Sequence, residues 1–127
     1  MNLLASKITG SELEVMRVLW IAKEALPIAA IRQTIEASSQ WDSSTIKTLL
    51  RRLCQKGIVL AVKKEVFYYS PLISEVEYSD YMTQNMIDRL YGGSAKDMVA
   101  SLVSGNRLNR QDIEELRAMF KAGGQNE

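Results

Sequence analysis

Trp41-Asp42-Ser43-Ser44-Thr45-Ile46-Lys47-Thr48-Leu49-Leu50-Arg51-Arg52-Leu53-Cys54-Gln55-Lys56-Gly57 decides how the rest of the chain is read. Ile46, Leu49, Leu50 and Leu53 stand at i, i+3, i+4 and i+7, the spacing of a single apolar stripe along a helix. Asp42 or Ser43 can cap the start, and Gly57 can close the end in the left-handed conformation that other residues avoid. The opposite side carries Ser44, Thr45, Lys47, Thr48, Arg51, Arg52 and Gln55: cations and short hydroxyls, with no carboxylate. A helix that needed only solubility would mix signs and set Glu four residues from Lys. This face repels anything except an anion. Between Asp42 and Glu65 lie Lys47, Arg51, Arg52, Lys56, Lys63 and Lys64 with no acid among them, a candidate phosphate-binding surface, although basic stretches also occur as plain solvated faces.

Upstream of this helix, Thr9-Gly10-Ser11-Glu12 has the spacing of a capping box. Leu13, Met16, Leu19 and Trp20 continue a helical pattern to about residue 22. Pro27 fits the first turn of a second helix, whose buried face would be Ile28, Ile31 and Ile35, and Ser38-Ser39-Gln40 reads as a loop. Downstream, Ile58-Val59-Leu60-Ala61-Val62 and Val66-Phe67-Tyr68-Tyr69 are β-branched and aromatic. They are separated only by Lys63-Lys64-Glu65, so they form a hairpin that Pro71 ends. Three helices and a basic-tipped hairpin describe a winged helix-turn-helix.

Beyond Ser74 the pattern is helical again. Met82, Met86, Ile87 and Leu90 mark one segment with Tyr78 and Tyr81, ended by Gly92-Gly93. Met98, Val99 and Leu102 mark a second, and Ile113, Leu116 and Phe120 a third that Asn109 can cap. The expected fold is therefore mainly α with a small β-hairpin: a winged helix-turn-helix head over residues 1–73 and a C-terminal helical dimerisation tail over 74–127. A segment of about 50 residues is marginal by itself. Its stripes, represented by Met82, Met86, Leu90, Met98, Leu102, Ile113, Leu116 and Phe120, call for a partner surface. The alternatives are a second copy, the commonest arrangement among soluble oligomers, or folding back on the head.

Composition removes several functional classes. The chain has 127 residues, 46% hydrophobic and 24% charged, as expected of a folded protein. No apolar run nears the ~20 residues that span a bilayer, and the start lacks a signal-peptide apolar region, so the expectation is a cytoplasmic protein with no membrane partner. Cys54 is the single cysteine, which suits a reducing compartment. With no histidine, neither a zinc site of nitrogen and sulfur ligands nor Ser-His-Asp or Cys-His catalysis can be assembled within one chain. Carboxylate-only or Ser-Lys chemistry stays formally open, but nothing in the spacing suggests it. No catalytic residue, metal site or cofactor is expected, and no enzyme. Charge is uneven: residues 1–73 carry ten Lys/Arg against six Asp/Glu (+4), and residues 74–127 carry six against nine (−3).

Ser11-Glu12-Leu13-Glu14-Val15-Met16-Arg17-Val18-Leu19-Trp20, the run from Trp41 to Gly57, Phe67-Tyr68-Tyr69-Ser70-Pro71 and Asp112-Ile113-Glu114-Glu115-Leu116-Arg117 together resemble the BlaI/MecI/CopY repressors of β-lactamase, methicillin-resistance and copper-homeostasis genes. The resemblance spans about residues 8 to 120. It implies a transcriptional repressor that binds double-stranded operator DNA, a pseudo-palindrome, as a homodimer, and regulates a resistance or metal-homeostasis type operon. On that reading Thr45 and Thr48 face base edges, and Lys47 reaches guanine or a phosphate. Arg51 and Arg52 grip the backbone, Ser44 bonds a phosphate near the helix start, and Lys63 and Lys64 at the wing tip meet a neighbouring phosphate. Trp20 and Trp41 brace the core, and Cys54 is a small buried hydrophobe. The chain departs from copper-sensing members in lacking a C-terminal Cys-x-Cys pair. It departs from antibiotic-responsive members, which are cut between Asn and Phe, in having Ser101-Leu102 at that place. A winged-helix protein-interaction module is the competing reading, since the fold alone does not imply DNA binding.

Overall fold

A computed structural model of the chain describes residues 3–124. The elements run α1 (Gly10–Ala22), β1 (Leu26–Pro27), α2 (Ile28–Glu36), α3 (Ser43–Gln55), β2 (Val59–Lys63), β3 (Phe67–Pro71), α4 (Glu75–Leu90), α5 (Ala95–Ser104) and α6 (Arg110–Gly124), after a short 3-10 turn at Leu3–Lys7. The architecture is mainly helical with one small antiparallel sheet, as the sequence predicts. Two compact units are present, Met1–Thr83 and Gln84–Glu127. The division falls inside α4, later than the junction read at Ile73/Ser74, because Tyr78 and Tyr81 at the start of α4 pack on the core of the first unit. Trp20 Nε1 donates to the Ile73 carbonyl at 2.9 Å, and its ring lies 5.6 Å from that of Tyr78.

The capping box forms. Glu12 N–H donates to Thr9 Oγ1 at 3.2 Å, and Thr9 N–H donates back to Glu12 Oε1 at 3.0 Å. The second helix begins one residue later than its proline suggests. Pro27 adopts an extended conformation (ψ 157°), is the N-cap of α2, and also belongs to β1. That strand pairs Leu26 with Tyr69 and Pro27 with Tyr68, so the hairpin is widened into a sheet of order β1-β3-β2. The hairpin itself is shifted by one residue from the sequence reading. Val59 pairs with Pro71 and Lys63 with Phe67, which leaves Lys64, Glu65 and Val66 as the turn.

The core of the first unit follows the α3 stripe read from sequence in full, and those of α1 and α2 in part: Leu13, Trp20 and Ile28 are only half-buried, and Val15 and Glu12 take places on the buried side of α1. Val15, Met16 and Leu19 of α1, Ile31 and Ile35 of α2, and Ile46, Leu49, Leu50 and Leu53 of α3 are buried together with Ile58, Val59 and Ile73. Each such side chain contributes about 1.5–3 kcal/mol on leaving water. At the end of α3 the Gly57 N–H bonds the Cys54 carbonyl and the Ile58 N–H bonds the Leu53 carbonyl, at 3.1 and 3.0 Å. Gly57 at φ 77° makes this left-handed closure and turns the chain into β2. The second unit is thin by comparison. Among its described residues Ile87 is the one buried hydrophobe, and neither α5 nor α6 has a buried residue.

Candidate nucleic-acid interface

The α3 stripe fixes which side of the helix faces outward. Ser44, Thr45, Lys47, Arg51 and Arg52 are exposed and Thr48 is half-buried, so the sequence-predicted face is assembled on one element. Lys63 and Lys64 are exposed at the far end of the hairpin, over the rings of Phe67 and Tyr68 at 5.8 and 5.5 Å. Lys47 and Arg51 also border a cleft between α3 and the sheet whose other walls include Cys54, Ala61, Phe67 and Tyr69. Phe67 and Tyr69 are additions to the residues singled out by sequence. Their period-two alternation marks them as facing the same side of β3, but nothing local shows that this side looks toward α3.

Several hydroxyls on the face are already engaged. Ser44 Oγ donates to Asp42 Oδ1 at 2.9 Å, and Thr48 Oγ1 donates to the Ser44 carbonyl at 2.9 Å. Thr48 therefore offers a methyl group and acceptor lone pairs outward, with its proton spent on its own helix. Asp42 caps α3 by accepting the Thr45 N–H at 2.8 Å. That backbone bond, with the Ser44 hydroxyl, holds the Asp42 carboxyl below its ordinary range, so a full negative charge sits at the helix start. Any anion approaching that turn meets a carboxylate first, and Ser44 must rotate to donate to it.

One cation of the basic run is not available to an outside anion. Lys56, counted from sequence among six uncompensated charges, lies 2.6 and 2.8 Å from the two carboxylate oxygens of Glu12. Glu12 is fully buried. Its residue number is 44 away from Lys56, so no local spacing reveals the pair. Burial pushes the Glu12 carboxyl up, but the Lys56 ammonium and the Thr9 N–H outweigh it and leave the group below its ordinary value. Burial also raises the Cys54 thiol, which disfavours the thiolate. Trp20, Trp41 and Cys54 all pack, part-buried, against the core. Among the described residues no group of three His, Cys, Asp or Glu could hold a metal ion, and no helix is long and apolar enough to cross a membrane.

The tail residues expected at a dimer interface lie on three helices. Met82, Met86 and Leu90 are exposed on α4, Met98 and Leu102 are half-buried on α5, and on α6 Leu116 is half-buried while Ile113 and Phe120 are exposed. Within the second unit Val99, Val103, Leu108, Ile113, Leu116 and Phe120 line an apolar cleft between α5 and α6.

Three helices, a cationic outer face on the third and a basic-tipped hairpin beside it define a winged helix-turn-helix protein. The chain belongs to the penicillinase repressor family, whose model matches residues 8–122, and is a repressor by family and not an enzyme. It is 32% identical over 111 residues to the penicillinase repressor of Bacillus licheniformis, covering 87% of this chain and 86% of that one. It is equally 32% identical over 112 residues to the methicillin resistance regulatory protein MecI of Staphylococcus aureus, covering 87% and 90%. Two solved structures are similar. One is the solution structure of the monomeric form of Bacillus licheniformis BlaI in complex with the blaP half-operator, with TM-score 0.50 and 36% identity, covering 56% of this chain and 87% of that one. The other is that of the DNA-binding domain of the repressor BlaI, with TM-score 0.52 and 35% identity, covering 61% and 94%.

Proposed function

We propose that this protein is a bacterial transcriptional repressor that acts in the cytoplasm as a homodimer, its two heads reading a pseudo-palindromic operator beside a resistance or metal-homeostasis type operon. The observation that carries the reading is the acid-free outer face of α3, where Thr45, Lys47, Thr48, Arg51 and Arg52 stand clear of any carboxylate ion pair among the described residues. Past the Asp42 cap at its first turn, the face repels cations and attracts phosphates, which a protein-binding module has little reason to maintain. The half-operator complex of a 36% identical relative supports the same assignment. Thr45, Thr48 and Lys47 are the base readers, Arg51, Arg52 and Ser44 hold the backbone, and Lys63 and Lys64 meet the flanking phosphates. The dimer is supported by the poverty of the second unit, whose apolar surfaces at Met86, Leu90, Met98, Leu102, Ile113, Leu116 and Phe120 are covered once a second copy lies on them. Met82, exposed on α4 within the first unit, is the remaining residue proposed for the interface.

The test is selection from random-sequence duplex DNA with the full-length protein. A two-part inverted repeat whose half-sites lie about 10 base pairs apart, or a multiple of that, is the expected product. Enrichment of no sequence, with binding that never exceeds that of any duplex, would overturn the reading.

A further inference from the structure

Glu12 occupies a place in α1 that the pattern of the helix reserves for an apolar side chain. Residues 12, 15, 16 and 19 form the buried stripe, and the last three are Val15, Met16 and Leu19. A carboxylate in that row has to be answered by a charge, and Lys56 answers it. The same ammonium donates to the Lys7 carbonyl at 2.8 Å, so one side chain joins the N-terminal 3-10 turn, the first turn of α1 and the end of α3. Lys56 is the C-cap of α3, and the next residue, Gly57, is the left-handed hinge from which β2 departs. Whatever fixes Lys56 therefore fixes the cationic face of α3 and the root of the wing together.

We infer that the Glu12–Lys56 pair is a positioning device, which sets the orientation of α3 and its wing for DNA and makes no contact with DNA itself. The inference rests on the DNA-binding reading above. With Glu12 buried and the Lys56 side chain 29% exposed, the pair is a poor source of stability, because the cost of desolvating the carboxylate offsets most of the attraction. It is a good source of geometry, since an ammonium that must satisfy two carboxylate oxygens and a carbonyl has one place to sit. The capping role of Glu12 can be separated from this one, because glutamine serves the capping box as well as glutamate does.

The experiment uses the full chain and a duplex recovered by selection with the wild-type protein, beside a scrambled duplex. Glu12→Gln, Lys56→Met and the double variant are compared for thermal midpoint, affinity for both duplexes and the dependence of affinity on salt. The double variant is expected to keep a thermal midpoint close to wild type and to lose about 10-fold in affinity for the selected duplex. Its affinity for the scrambled duplex and its salt slope are expected to be unchanged. A salt slope lowered by about 1 in Lys56→Met, with equal losses on both duplexes, would make Lys56 a phosphate contact and overturn the inference. If Lys56→Met does not fold, Glu12→Gln decides. Weaker selective binding at unchanged slope supports positioning, and stronger binding on both duplexes means that a freed Lys56 turns to phosphate. If the wild type selects no sequence, the DNA reading fails by itself and amide exchange judges the pair. Faster exchange in the double variant at Ile58 and Leu72, whose N–H groups close the end of α3 and bond the Ile58 carbonyl, supports the device, and unchanged exchange removes it.

Discussion

Protonating Glu12 leaves Lys56 without its counter-charge, and the sign of the resulting pH dependence follows from the direction of the Glu12 shift. Its carboxyl is held below the ordinary value of 4.5 in the folded chain. The stability it contributes is complete above the unfolded carboxylate value and is lost as pH falls through the lower, folded one. Thermal melts should show the midpoint dropping as pH falls below the ordinary carboxylate value of 4.5, with a shallower drop in Glu12→Gln than in wild type. Glu12→Ala removes the carboxylate half of the capping box and the pair together, leaves the Thr9 cap of the residue 12 N–H in place, and should cost about 2 kcal/mol at neutral pH by denaturant unfolding; a neutral effect would mean the pair is dispensable. On the outer face of α3 the residues separate by readout. Arg51→Ala and Arg52→Ala should weaken binding to all duplexes alike and flatten the salt dependence. Lys47→Ala and Thr48→Ala should relax preference at particular base pairs by roughly 1–3 kcal/mol, seen in competition between single-base variants of the selected site. In the proposed reading Thr48 would act through its methyl and lone pairs, since its hydroxyl proton is donated to the Ser44 carbonyl.

At the scale of elements, α3 and its two ends are legible in the sequence. The four-residue stripe, the Asp42 cap and the Gly57 closure are local patterns, and each is made by residues within a few positions of one another. β1 was not legible, because Leu26 and Pro27 become a strand only through Tyr69 and Tyr68, far along the chain. The one-residue shift of the hairpin has a similar cause. Lys64-Glu65-Val66 contains no glycine or asparagine to name a turn type, so no local signal in the turn indicates the register in which β2 and β3 pair. The basic face was legible as composition, whereas the withdrawal of Lys56 from it depends on a buried residue of another helix. Gly57→Ala tests the closure: a Cβ there meets nothing within 4 Å, so the cost is the left-handed backbone alone, about 1 kcal/mol in thermal or denaturant unfolding. A loss several times larger would show that the wing root is packed more tightly than this geometry allows.

At the scale of the molecule, the unit boundary within α4 says where the chain can be cut. Ending it after Ser70 would delete Ile73, which is buried, and Tyr78, which lies against Trp20. Ending it after Thr83 keeps both. The truncated head should be folded and monomeric by sedimentation, with affinity for the full operator lower by about 10²–10⁴, the factor lost when two linked heads no longer share an effective concentration. A monomeric full-length chain at micromolar concentration would remove the dimer from the account. The single buried hydrophobe of the second unit also bears on dosage inside a cell. In the proposed dimer such a tail would gain its order from association, so below the dissociation constant the amount of dimer would vary as the square of the amount of chain. Halving synthesis then lowers the operator-competent species by about fourfold, and dilution at cell division becomes, for the regulated genes, a sharper event than the twofold change in protein that causes it.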